Sequence, residues 1–169
     1  MIALPTPAES IEVAVAADAM AAFERAYEEC WTPVFRLALA WTNDWCAAED
    51  IAQEAFARIW RDRGKVEWPE GALPWLLTTT RHLTTDRFRR LRTRLAHRLP
   101  GEPDLDPGAR ARWLDVRAAF GCLSPLERAA LALSAVSGFT SEEAASTLGT
   151  SPAAVRSAVF RARRKLEEA

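Results

Sequence analysis

Apolar residues recur at helical spacing along most of this chain, and the runs are separated by capping residues, prolines and glycines. The positions Phe23, Tyr27, Trp31, Val34, Leu37, Ala38 and Trp41 step mainly by three or four, which predicts a helix starting near Asp18. Pro33 lies inside that helix and predicts a kink, and Thr42, Asn43 and Asp44 close it. Residues 1–17 carry two prolines and small residues without a period, so they are expected to form a mobile lead-in. A second helix, 45–61, places Ala52, Ala55, Phe56, Ile59 and Trp60 on one face and leaves Glu49, Asp50, Gln53 and Glu54 outside. Glu54 and Arg58 are four apart, the spacing of a local ion pair worth a few tenths of a kcal/mol.

Gly64, Pro69 and Gly71 make 62–73 a loop, which feeds a long helical segment, 74–98. Phe88, Leu91, Leu95 and Leu99 form a narrow apolar seam there, so Arg87, Arg89, Arg90, Arg92, Arg94 and Arg98 fill the flanks. Residues 100–108, PGEPDLDPG, cannot bury a core and read as an acidic linker. Beyond it, a helix over 109–123 is followed by two capping boxes, Ser124-Pro125-Leu126-Glu127 and Thr140-Ser141-Glu142-Glu143. Gly149 ends the short helix after the second box, and Ser151-Pro152 begins the last one. The fold class is therefore all-α, with two small helical domains, 18–99 and 109–169, joined by a short acidic linker rich in proline and glycine.

Charge changes this picture more than composition does. The net charge is −1, but residues 1–56 sum to −8, 57–100 to +7, 101–150 to −3 and 151–169 to +3. A near-neutral total thus conceals two candidate anion-binding surfaces. The arginine cluster at 87–98 is either a solvated face or a track for a polyanion. Trp68, Trp75, Thr79, Thr80, Arg81, His82, Thr84 and Thr85 lie just ahead of it, and rings and hydroxyls beside a basic track suit unpaired bases. Core packing is the alternative for each tryptophan.

The second basic surface is the last helix. Ala145, Gly149 and Val155 have the spacing of a helix-turn-helix, with a small residue at the crossing, glycine at the turn and an apolar plug after it. On a wheel of about 100° per residue, Val155, Val159, Ala162 and Leu166 face inward. Ser157, Phe160 and Arg164 then face outward between Arg156 and Arg161, a face suited to a major groove.

Three cysteines, Cys30, Cys46 and Cys122, are widely spaced, and the two histidines make no ligand pattern, so no metal or cofactor is implied. No apolar run reaches about 18 residues, so no membrane insertion is expected and the chain reads as cytoplasmic. No nucleophile with a base and an orienting group stands out, which argues against an enzyme.

Taken together, these segments resemble the extracytoplasmic-function (ECF) group of sigma-70 family RNA polymerase sigma factors. AEDIAQEAFARIWR (48–61) is similar to the polymerase-docking helix of sigma region 2, and TRHLTTDRFRR (80–90) to its promoter-melting segment. The stretch 123–166, from LSPLER to RARRKL, resembles sigma region 4. The resemblance implies that Asp50, Gln53, Glu54 and Arg58 meet the clamp helices of the largest subunit of core RNA polymerase. It implies that the loop 63–71 with Trp68, and Trp75, Arg81 and His82, engage the melted minus-ten element of promoter DNA, with Arg87, Arg89 and Arg90 on the duplex upstream. Arg156, Ser157, Phe160, Arg161 and Arg164 would read the minus-thirty-five element. A cognate anti-sigma factor that masks these surfaces is a further implied partner, and no appended C-terminal domain is expected. His82 stands where such factors commonly carry asparagine, and Ala158 where a basic residue is frequent. An autonomous helix-turn-helix regulator, needing no polymerase, and a helical protein-interaction module are the alternatives.

Overall fold

A computed structural model describes residues 7–94 and 106–168, with side chains over 17–87 and 106–168. Every regular element among them is helical: α1 Pro7–Thr42, α2 Trp45–Arg61, α3 Ala72–Arg94, α4 Pro107–Gly121, α5 Pro125–Leu131, α6 Ser141–Leu148 and α7 Pro152–Glu167. A short 3₁₀ turn, Arg63–Lys65, sits between α2 and α3, and a π-helical stretch, Ala132–Val136, continues α5.

Several boundaries differ from expectation: α3 begins at Ala72 rather than 74 and α4 ends at Gly121 rather than 123. The first helix begins at Pro7, eleven residues before Asp18, and so takes in much of the expected lead-in. Ahead of α4, the Asp106 carboxylate accepts hydrogen bonds from Gly108 N and Ala109 N, both at 3.0 Å. That cap, with proline at the first helical position, draws the end of the expected linker into α4. The apolar seam at Phe88, Leu91, Leu95 and Leu99 and the arginines from Arg89 to Arg98 lie outside the residues whose side chains are described.

Helices α1, α2 and α3 form a three-helix bundle. The α1–α2 corner is tight because Asn43 takes a left-handed conformation with φ 52°, which asparagine tolerates better than most residues. Asp44 then caps α2, accepting from Ala47 N at 3.0 Å. The aromatic rings fill this bundle: Phe23 meets Trp60 edge-on at 5.1 Å, Tyr27 stacks on Trp31 at 5.1 Å, and Phe35 meets Trp45 at 4.9 Å. All three tryptophans are half-buried, and Trp31 packs against the core cluster.

In the second half both capping boxes form. Ser124 N donates to Glu127 Oε2 at 2.8 Å, and Thr140 N donates to Glu143 Oε2 at 2.8 Å. Gly149 closes α6 with φ 62°, and Val155, fully buried, plugs the angle between α6 and α7.

The two halves are not separate beads on a tether. One buried cluster runs from Val34, Leu37, Phe56, Ile59, Leu76 and Leu77 into Ala129, Leu133, Ala144, Leu148, Val155 and Ala158. Trp45 also meets Trp113 across the boundary at 5.5 Å. Arg128, only 8% exposed, ties this junction together. Its Nε donates to Ala40 O at 2.6 Å and its Nη2 to Trp41 O at 3.3 Å, both in the last turn of α1. Its Nη1 donates to Leu123 O, just past α4. With a longer bond from Nη1 to Phe120 O at 3.5 Å, one guanidinium thus meets carbonyls in the last turns of α1 and α4, where a cation is favoured by both helix dipoles.

Candidate polymerase and nucleic-acid interfaces

The outer face of α2 exists because its inner face is consumed by Ile51, Ala52, Ala55, Phe56 and Ile59, all buried. Asp50 and Gln53 are exposed on it. Glu54 accepts from Arg58 Nε at 2.7 Å, with Arg61 at 3.6 Å, and the bond from Arg58 holds its carboxyl below the usual range. The expected i, i+4 pair is therefore present. Asp50 also lies 3.9 Å from Arg87 of α3, so an expected docking carboxylate and an expected DNA cation are neighbours.

The loop before α3 is held by its own aromatics. Arg63 sits 4.6 Å from the Trp60 ring centroid, and Trp68 Nε1 donates to Arg63 O at 3.1 Å. Trp68 and Trp75 are half-buried against the core, each leaving part of its ring at the surface. Of the hydroxyls that looked available to bases, two are not. Thr80 and Thr84 are fully buried, and their Oγ1 atoms donate back to Leu76 O and Arg81 O at 2.8 Å. Helix interiors offer such threonines a carbonyl one turn back, which removes them from any ligand.

His82 is exposed, and its Nε2 lies 2.7 Å from Arg81 Nη2. Arg81 points toward the second half, where a Cβ placed on Gly149 would stand 2.6 Å from its Nη1. Its Nε is buried without a hydrogen-bond partner. The structure thus brings the segment expected at the melted strand against the turn of the helix-turn-helix.

On α7, Val155, Ala158 and Ala162 face inward and Arg156, Ser157, Phe160, Arg161 and Arg164 face outward. Phe160 is 69% exposed. Ala158 is fully buried in the core cluster, so no side chain at that position could meet a phosphate without breaking the packing. Arg156 lies 3.7 Å from Glu142, and Arg164 Nε donates to Glu168 at 2.8 Å. Arg161 Nε donates to Glu127 Oε1 at 3.1 Å, and Lys165 Nζ donates to Glu127 Oε2 at 2.8 Å. Those donors, with Ser124 N, hold the Glu127 carboxyl down to about 2.

Sequence reasoning read Glu127 as a capping residue and stopped there. No local signal connects positions 34 and 38 residues apart, so its partners Arg161 and Lys165 were missed. Arg163 was also passed over, though it lines a shallow pocket with Ser134, Ser141, Arg156 and Phe160.

Residues 26–94 match the family model described as sigma-70 region 2, and residues 113–166 match that of sigma-70 region 4. The chain belongs to the sigma-70 family of RNA polymerase sigma factors. Within that family, its similarity to named ECF members puts it in the extracytoplasmic-function group. It is 38% identical over 160 residues to the probable RNA polymerase sigma factor RfaY of Xanthomonas campestris, covering 88% of this chain and 40% of that one. It is 34% identical to the sigma factor CarQ of Myxococcus xanthus, over 72% of this chain and 73% of CarQ. It is also 32% identical to the ECF sigma factor SigE of Mycolicibacterium smegmatis, over 80% of this chain and 56% of SigE. The chain therefore spans between two fifths and three quarters of these relatives' length.

The fold of this sigma factor is shared with two solved complexes. RpoE of Bartonella quintana, bound to the anti-sigma factor NepR, superposes with a TM-score of 0.67 at 24% identity, covering 86% of this chain and 94% of that one. CnrH, bound to the cytosolic domain of CnrY, gives 0.66 at 23% identity, covering 90% and 92%. No single helix among the described residues is long and apolar enough to cross a membrane.

Proposed function

We propose that this chain is a non-catalytic specificity subunit in the cytoplasm, which binds core RNA polymerase, directs it to promoters and helps separate the strands. The supporting observation is the division of surfaces. A solvent-facing patch at Asp50, Gln53, Glu54 and Arg58 lies on α2, and an exposed, ring-bearing basic face lies on α7 at Arg156, Ser157, Phe160, Arg161 and Arg164. A large ring exposed among arginines is costly in water and suits a surface such as a thymine methyl. On α2 the carboxylates alternate with cations, Glu54 with Arg58 and Arg61 and Asp50 with Arg87, and such mixed charge suits a protein partner such as the polymerase clamp helices better than a phosphate backbone.

Melting needs no bond chemistry. Trp68, Trp75, Arg81 and His82 offer a displaced base stacking and charge in place of its neighbours, offsetting a few kcal/mol of unstacking. Arg87, with Arg89 and Arg90, holds the upstream duplex. Because Arg81 packs on Gly149, the α6–α7 unit has to swing away before a strand reaches Arg81. An anti-sigma factor is the partner that would hold the halves as they are, and RpoE, which shares this fold, is solved with the anti-sigma factor NepR.

Run-off transcription with purified core polymerase, with and without this chain, on a library of upstream sequences tests the reading. Selective initiation only in its presence is the expected result. An unchanged start-site pattern, or tight sequence-specific binding by the free chain, would sink it.

A further inference from the structure

The Glu127 carboxylate is 4% exposed, yet it accepts from three donors on two helices, Ser124 N, Arg161 Nε and Lys165 Nζ. A capping box needs only the first. Arg161 keeps 54% of its side chain exposed, and its terminal nitrogens have no protein partner among the described residues. A guanidinium held through Nε has its plane set, while both terminal amino groups remain free to form a fork.

We infer that Glu127 is a positioning residue for promoter recognition: it fixes the plane of Arg161 so that the fork meets one base pair of the minus-thirty-five element in a single orientation. This rests on the assignment of Arg161 to DNA proposed above. A bidentate arginine contact with guanine is the commonest specific contact in a major groove, and it depends on the orientation of the guanidinium plane. An unheld arginine would instead settle on any nearby phosphate, which adds affinity without sequence information. A buried anion beneath the reading helix otherwise works against binding a polyanion, and a positioning role accounts for its presence. Lys165, drawn to the same carboxylate, is kept off the neighbouring phosphates.

The two roles of Glu127 predict effects of opposite sign. Replacing it by glutamine keeps an acceptor for Ser124 N but removes the charge that holds Arg161. Affinity for non-promoter DNA then holds or rises, while base discrimination falls. Simple loss of folding would lower both.

The test uses the full chain with core polymerase, on templates carrying each single-base change across the minus-thirty-five element. R161A is expected to erase the preference at one base pair. E127Q should weaken that same preference about 3- to 10-fold, with the other positions within about twofold. E127D, which keeps the charge but withdraws it by one methylene, should act in the same direction and covers the case in which E127Q fails to fold. An R161A defect combined with unaltered discrimination in both folded Glu127 variants overturns the positioning role alone. An R161A variant with unaltered discrimination overturns both that role and the assignment of Arg161 to DNA.

Discussion

The guanidinium of Arg81, on α3, rests against the backbone of Gly149, at the turn between α6 and α7. Two features of Gly149 meet there: a left-handed φ of 62° and the absence of a Cβ that would stand 2.6 Å from Arg81 Nη1. Gly149→Ala is expected to cost about 1–2 kcal/mol from backbone strain and to push Arg81 aside. Arg81→Ala leaves the backbone relaxed but removes the contact. Small-angle scattering should therefore show both variants shifted toward extended forms, with only G149A losing thermal stability in the second half. A wild-type scattering profile for R81A would show that the contact does not hold the halves together.

Arg128 predicts a different effect. Its replacement by methionine fills similar volume but strands the carbonyls of Ala40, Trp41 and Leu123. Urea unfolding should show a loss of about 2–4 kcal/mol. Loss below about 0.5 kcal/mol would mean that water replaces the guanidinium at these carbonyls.

Stability should fall in acid with a component traceable to Glu127. Its carboxyl lies at about 2 in the fold and near 4.5 unfolded, so its contribution is complete above about pH 4.5 and is lost as pH falls toward 2. Part is screened, because Arg161 and Lys165 are 54% and 41% exposed, which leaves a contribution on the order of 2 kcal/mol. Denaturant titrations from pH 7 to pH 2.5 should show a shallower acid slope in E127Q than in the parent chain. Equal slopes would refute the assignment.

Phe160→Ala separates function from folding. The ring is 69% exposed, so unfolding free energy should stay within about 0.5 kcal/mol. Initiation at a minus-thirty-five-dependent promoter should drop about tenfold or more in abortive-transcription assays. Undiminished initiation would remove Phe160 from the DNA surface.

Asp50→Ala, and the pair of Asp50→Ala with Gln53→Ala, address the polymerase. Both positions are exposed, and the ion pair of Asp50 with Arg87 at 3.9 Å is a long surface one, so the fold should be unaffected. Affinity for core polymerase should fall several-fold, more at low salt than at high salt, as competition between labelled and unlabelled chains would reveal.

What could be read along the chain is what short-range physics decides. The capping boxes at Ser124 and Thr140, the corner at Asn43-Asp44 and the glycine turn at Gly149 each depend on atoms within about four residues, and all formed as their residue types imply. The periodicity of α2 and α7 settled which side chains turn outward, and with it the acidic and basic surfaces. Tertiary structure alone decided which of those side chains are spoken for. Thr80 and Thr84 are sealed in the core, Arg81 is laid on Gly149, and Glu127 reaches Arg161 across 34 residues. Those facts depend on which helix faces meet, and that follows from burying one continuous core shared by both halves, which no local pattern encodes.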